Sequence, residues 1–290
     1  GLGGLTVGKT GGQTAASNSV TLPLSTLIGS LTNTDIAVSR TPDVVDSAGN
    51  IITFGGYTGY KIGLILTYEN NDTRSDSHYT LTNAGNINFT GKSSIGIQIF
   101  APGSVSMPVA VLNDFGGLIT LGGIESYGLK LSSRVLEAGS TLTNSGTINL
   151  TGSNGNNDSL SSGIAILEDS TMTGAASIRA YTGKVTNAGT INVSGGRGNT
   201  GMVLKVDAAD DITNTTTGNI NVSGSYNIGM RVDKGTVTTG AAGTTPQAIN
   251  NGTITLSGSV AETNNLGMVA NGVSIATNNN KITLVGPAKT

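Results

Sequence analysis

Side chains able to do acid–base or metal chemistry are sparse in this chain of 290 residues: 15 Lys and Arg, 17 Asp and Glu, one His and no Cys. The single histidine, His78, closes the polar run ENNDTRSDSH at 69–78. That run has loop composition, so His78 reads as a solvated loop residue rather than a proton shuttle or metal ligand. Asp207, Asp210 and Asp211 cluster together. Three carboxylates beside backbone carbonyls are what calcium takes, but the Gly-Gly-x-Gly-x-Asp nonapeptide of calcium-binding β-rolls is absent. A solvated acidic turn is the better reading. No metal and no cofactor is expected, and the lack of cysteine removes disulfides and thiolate sites.

Cleaving a polysaccharide needs carboxylates converging on one face, usually with Arg or Lys. Glu125, Glu137, Asp158 and Asp233 fall in irregular parts of the sequence and form no repeated pair. No Gly-x-Ser-x-Gly nucleophile motif stands out from the Gly/Ser background. A protein that is not an enzyme and has no small-molecule substrate is therefore expected, with a polysaccharide-degrading enzyme as the lesser alternative. The remaining polar chemistry sits in two inserted stretches. SNGNNDSLS at 153–161 offers Asn154, Asn156, Asn157 and Asp158. The second, at 168–184, offers Glu168, Asp169, Arg179 and Tyr181. Long loops on a rigid scaffold are where binding usually sits, so these eight are the candidate binding residues.

The scaffold that must hold those loops is written eight times. Gly-x-Ile-polar-apolar-x-Gly, usually after Thr-Asn, recurs with its isoleucine at Ile52, Ile87, Ile119, Ile148, Ile191, Ile220, Ile254 and Ile282. The steps are 35, 32, 29, 43, 29, 34 and 28 residues. Apolar-polar-apolar is a short strand with one buried face, and glycines mark the bends around it. One such strand cannot bury its face alone, but eight can stack, and repeats of this period signal a solenoid or propeller. Aromatics are 4% and Trp is absent, against the propeller's aromatic signature. The expectation is an all-β, right-handed parallel β-helix of about eight coils, with the repeated part about 35–40 Å long at about 4.8 Å per coil.

A Gly-apolar pair opens a second strand in each coil, from Gly63-Leu64 to Gly267-Met268. A weaker third apolar stretch is read before each Thr-Asn, as at Val135-Leu136 and Val203-Leu204. Asn83, Asn144, Asn187, Asn250 and Asn278 should form a hydrogen-bonded ladder at one turn. Asn113 and Asn214 stand two positions further from their isoleucines, and the ladder is expected to break there. Residues 1–35 lack the phrase and are expected to be a lead-in or cap, with the helix over 36–290.

Glycine accounts for 44 residues, charged residues for 11%, and the net charge is −2. Lys and Arg are scattered singly, which argues against nucleic-acid binding. No stretch is apolar enough to span a membrane as a helix. An excised or processed segment of something longer is expected, because no leader opens the chain and the last phrase runs to its end. The Thr/Asn column lacks a second regular Thr, which disfavours an ice-binding face.

The phrase at 142–152, at 185–195 with Gly201-Met202, and at 248–258 with Gly267-Met268 resembles the passenger repeats of type V autotransporters. Among these it is most similar to large fusobacterial-type outer-membrane adhesins, over roughly residues 45–290. The resemblance implies an extracellular rod at the bacterial surface, anchored in the outer membrane through a barrel not present in this chain. It implies attachment or aggregation through a host or bacterial cell-surface protein or glycan. It carries over no binding residues, because the matched motif is scaffold. A self-associating, end-to-end filament or spacer is the alternative expectation.

Overall fold

The computed structural model describes residues 5–8, 18–22, 44–45, 51–53, 61–67, 79–89, 93–101, 109–133, 140–153, 158–167, 184–206, 211–234, 245–258 and 264–285. Among them are 25 strands and no helix. All but two strands belong to three parallel sheets. The first sheet stacks Leu5–Gly8, Lys61–Thr67, Ser94–Ala101, Tyr127–Ser133, Ser162–Leu167, Thr200–Val206, Ile228–Lys234 and Leu266–Asn271. The second stacks Asn18–Leu22, Tyr79–Asn83, Val109–Asn113, Thr141–Asn144, Lys184–Asn187, Asp211–Asn214, Gln247–Asn250 and Ile275–Asn278. The third stacks Asn86–Phe89, Leu118–Leu121, Thr147–Leu150, Thr190–Val193, Asn219–Val222, Thr253–Ser257 and Lys281–Val285. The chain visits the sheets in that order and repeats, which is a parallel β-helix of seven complete coils.

The phrase identified from sequence is the third sheet. Its isoleucines stand opposite one another from Ile87 to Ile282, and its second apolar positions from Phe89 to Leu284. From Ile87 to Ile254 the isoleucines are fully buried. Each such side chain contributes roughly 2 kcal/mol by leaving water. The first sheet faces them with Ile97, Leu129, Ile164, Met202 and Met230, and the second with Val111, Leu142, Val185, Ile212 and Ala248, all buried in the same core.

Three details differ from expectation. The phrase at Ile52 is not a rung of the third sheet. Its strand, Ile51–Thr53, pairs antiparallel with Val44–Val45. Ala48, not asparagine, stands four residues before Ile52, so this copy lacks the residue that registers the others. The eight expected coils thus become seven, preceded by Leu5–Gly8 and Asn18–Leu22, which begin the first and second sheets. Secondly, the strand before the Asn turn is the Thr-Asn segment itself, as in Thr141–Asn144. Val203 and Leu204 belong to the first sheet, while Val135 and Leu136 lie outside the described residues.

The third difference is the ladder, which does not break. Nδ2 of Asn83 donates to Oδ1 of Asn113, and the pattern continues through Asn144, Asn187, Asn214 and Asn250 to Asn278, at 2.7–2.8 Å throughout. The first six are fully buried. The two extra residues after Asn113 and Asn214 are absorbed outside the ladder. Gly117 N donates to Asp114 O at 2.7 Å and Gly218 N to Thr215 O at 2.9 Å, closing a small turn in each case. Phe115 on the first turn is 89% exposed. Deleting Asp114 and Phe115 restores the Asn-x-Gly-x-Ile spacing of the neighbours. The shortened protein should unfold in urea within about 1 kcal/mol of the parent, since changing loop length costs little; a larger loss would mean that the bulge itself supports the coil.

Candidate functional site

A second buried polar column stands at the corner between the third and first sheets. Ser94 N donates to Ser126 Oγ, Ser126 N to Ser161 Oγ, Ser161 N to Asn199 Oδ1, Asn199 N to Asn227 Oδ1, and Asn227 N to Asn265 Oδ1, all at 2.8–3.1 Å. Each side chain thus satisfies an amide of the coil before it. The residue just before the column is in the left-handed backbone region on five successive coils: Ser93 (φ 57), Glu125 (54), Leu160 (54), Gly198 (72) and Tyr226 (56). For the four that are not glycine this conformation costs roughly 1–2 kcal/mol each. The corner's charged and aromatic side chains stand on or beside these positions.

Asp158, Arg197 and Ser225 lie in parallel bridge register on three successive coils. Arg197 Nε donates to Asp158 Oδ1 at 2.9 Å, and the guanidinium carbon lies 4.2 Å from the centroid of the Tyr226 ring. Gly198 makes room for this contact. A Cβ there would stand 2.9 Å from Cβ and Cγ of Asp158, so the carboxylate occupies space that any other residue would take. Tyr226 remains 40% exposed and Leu160 57%. One coil earlier, Ser93 Oγ donates to Glu125 Oε2 at 3.3 Å. The result is a carboxylate, a guanidinium and a phenol ring on three successive coils. A second ion pair, Arg231 Nε to Asp233 Oδ2 at 2.8 Å, is completed by Asn271 Nδ2 at 2.6 Å on Asp233 Oδ1. Asp233 is buried, and this set ties two coils together.

Of the eight candidate binding residues, Asp158 is placed, exposed, at the corner. Asn154, Asn156, Asn157, Glu168, Asp169, Arg179 and Tyr181 lie outside the described residues, as do His78, Glu137, Asp207 and Asp210. The segment 168–183 connects a first-sheet strand to a second-sheet strand, and 154–157 connects the third sheet to the first. Arg197 and Tyr226 were not anticipated. The signal for them was present: Ser or Asn stands two residues before the opening glycine in Ser94-Ile-Gly, Ser126-Tyr-Gly, Ser161-Ser-Gly, Asn199-Thr-Gly, Asn227-Ile-Gly and Asn265-Leu-Gly. Aligning on that residue brings Arg197 and Tyr226 to one corner.

Asp211, in the acidic cluster, is half-buried in the second sheet opposite Gln247. Burial raises its carboxyl above the ordinary aspartate pKa. The folded state then holds the proton more tightly than the unfolded chain, so stability falls as pH rises from the ordinary aspartate value through the raised one. Asp211→Asn should therefore raise the melting temperature at pH 7 and lose that advantage near pH 3. Melting curves at both values check it, and an equal effect at both would remove burial as the cause.

No protein-family model matches this chain, and no curated protein and no solved structure matches it at a significant level. Fold and corner geometry therefore define the class by themselves: among the described residues, a parallel β-solenoid with a polar, register-locked corner.

Proposed function

We propose that the chain is a non-enzymatic surface segment, a rigid stalk that carries adhesive corners and loops, of the kind found in passengers of type V autotransporters. The observation that carries this reading is the unbroken stack. Seven complete coils share one core and are registered by asparagine from Asn83 to Asn278, and such a body works as a rod that displays what its corners hold. Its partner in this reading is a protein or glycan on a host or bacterial cell, outside the bacterium that makes it. The test is saturable attachment of labelled protein to host and bacterial cells, beside a version in which only 154–157 and 168–183 are replaced by short Gly-Ser links, sparing Ser161 of the buried column and Lys184 of the second sheet. Attachment lost with the loops places the site in them. No attachment by either version discards the adhesive reading.

A filament or spacer is the second reading, favoured by the same rigid stack: seven coils in one register span a distance as readily as they display a ligand. Sedimentation velocity across a hundredfold concentration range decides: growing linear species support assembly, and a single concentration-independent species removes it.

A further inference from the structure

We infer that the corner formed by Asp158, Arg197 and Tyr226 is a binding site for uncharged sugars, engaging a vicinal diol. This rests on the adhesive reading and names its ligand class. Arg197 spends Nε on Asp158, and among the described residues its two terminal nitrogens donate to nothing. Asp158 Oδ2 and the Tyr226 hydroxyl also have no partner among them. A carboxylate and a guanidinium held side by side present an acceptor next to paired donors. Adjacent hydroxyls of a sugar ring, each able to donate and accept, match that pair. The half-exposed Tyr226 ring supplies an apolar surface with a polar edge, suited to the C–H face of the same ring, and exposed Leu160 stands on the same left-handed corner.

Charge decides which sugars. Asp158 and Arg197 neutralise each other. A pair already neutral offers no surplus cation to sialylated or sulfated glycans and leaves uncharged ones acceptable. The site is also preorganised: bridge register aligns Asp158 with Arg197 and Ser225, so little freedom remains to be lost on binding. The corner is costly to the fold. Leu160 and Tyr226 hold left-handed backbone. Ser159 Oγ, beside Asp158, is the one buried side-chain polar atom among the described residues without a hydrogen-bond partner. Strain and an orphaned hydroxyl gathered at one corner are features that functional sites tolerate.

The test uses the full chain on an array of uncharged, sialylated and sulfated oligosaccharides, with Asp158→Asn and Tyr226→Gly beside it. Tyr226→Gly removes the ring but relieves the left-handed strain, so its melting temperature should equal or exceed the parent's. A residue that only staples coils would lower it. The expected result is saturable binding to a subset of uncharged glycans, weakened at least about tenfold in each variant by loss of a buried contact, with both variants folded. No binding to uncharged glycans, binding confined to anionic ones, or binding unchanged in both variants overturns the inference. Cell attachment separates the two levels. Attachment that survives both substitutions keeps the adhesive reading and discards this site; attachment absent from the parent discards the adhesive reading itself.

Discussion

Asn187→Ala should lower stability by about 2–5 kcal/mol, because two buried amide groups lose their partners at roughly 1–3 kcal/mol each. Asn187 accepts from Asn144 Nδ2 at 2.7 Å and donates to Asn214 Oδ1 at 2.8 Å. It also donates to the carbonyl of Gly189 at 3.2 Å. All three asparagines are fully buried, so water cannot replace what is lost. The damage should be local before it is global, since each coil touches mainly its neighbours. Hydrogen exchange should quicken first in the coils of Asn144 and Asn214, and urea melts should show the whole loss. Asn149→Ala is the control. Asn149 also joins a column, accepting from Asn192 at 2.8 Å, but it faces outward on the third sheet, and its loss should cost under about 1 kcal/mol. Equal losses at the two sites would mean that burial is not what gives the inner ladder its value. Asn187→Asp adds a charge at the same place, and it should recover part of its loss in acid, where the protonated carboxyl can again donate to Asn214.

Gly201→Ala should cost about 1–3 kcal/mol by overpacking. A Cβ at Gly201 would lie 2.5 Å from the carbonyl oxygen of Gly229 and 2.7 Å from Ile220 Cγ2. The first is backbone of the next coil, fixed by the pairs Thr200–Ile228 and Met202–Met230 on either side. Neither obstacle is the free end of a flexible chain, so the coils must part. Gly116→Ala meets its nearest atom, Ala84 O, at 3.7 Å, and should change stability by under about 0.5 kcal/mol. Comparable melts for the two variants would show that close approach is not the reason for glycine at the opening position.

The architecture was legible because its cause is periodic. The triplets around Ile148 and Ile191 state which face is buried, and their spacing states that the faces stack. Asn113 and Asn214 were misread for a definite reason: spacing was measured from the isoleucine, whereas the chain is registered by hydrogen bonds, and a two-residue bulge can be expelled between one anchor and the next. The Ile52 copy is the converse case, with the apolar triplet present and the asparagine missing. One of the three corner residues was equally open to reading. Asp158 stood out as a charge in a polar insertion, but Arg197 and Tyr226 lie 39 and 68 positions later. Only the coil register brings them together. Nothing in composition marks the left-handed backbone at Tyr226, because that conformation comes from the column beneath it.

The inner asparagine column also has a direction. Every side-chain amide from Asn83 to Asn250 donates toward the next, C-terminal coil. The amide dipoles therefore align along the axis, and each bond polarises the one after it. Turning one amide over would set donor against donor on one side and acceptor against acceptor on the other, so the column can reverse only as a whole. The outer column opposes it: Asn221 donates to Asn192 and Asn192 to Asn149. The body is electrically polar along that buried turn and counter-polarised on the outer face of the third sheet. Before Asn83 the column is closed by Leu22, which stands opposite it and donates nothing, whereas any coil that continues the column past Asn278 must offer an acceptor, so the column runs in a single sense and an inverted coil is refused at the first contact.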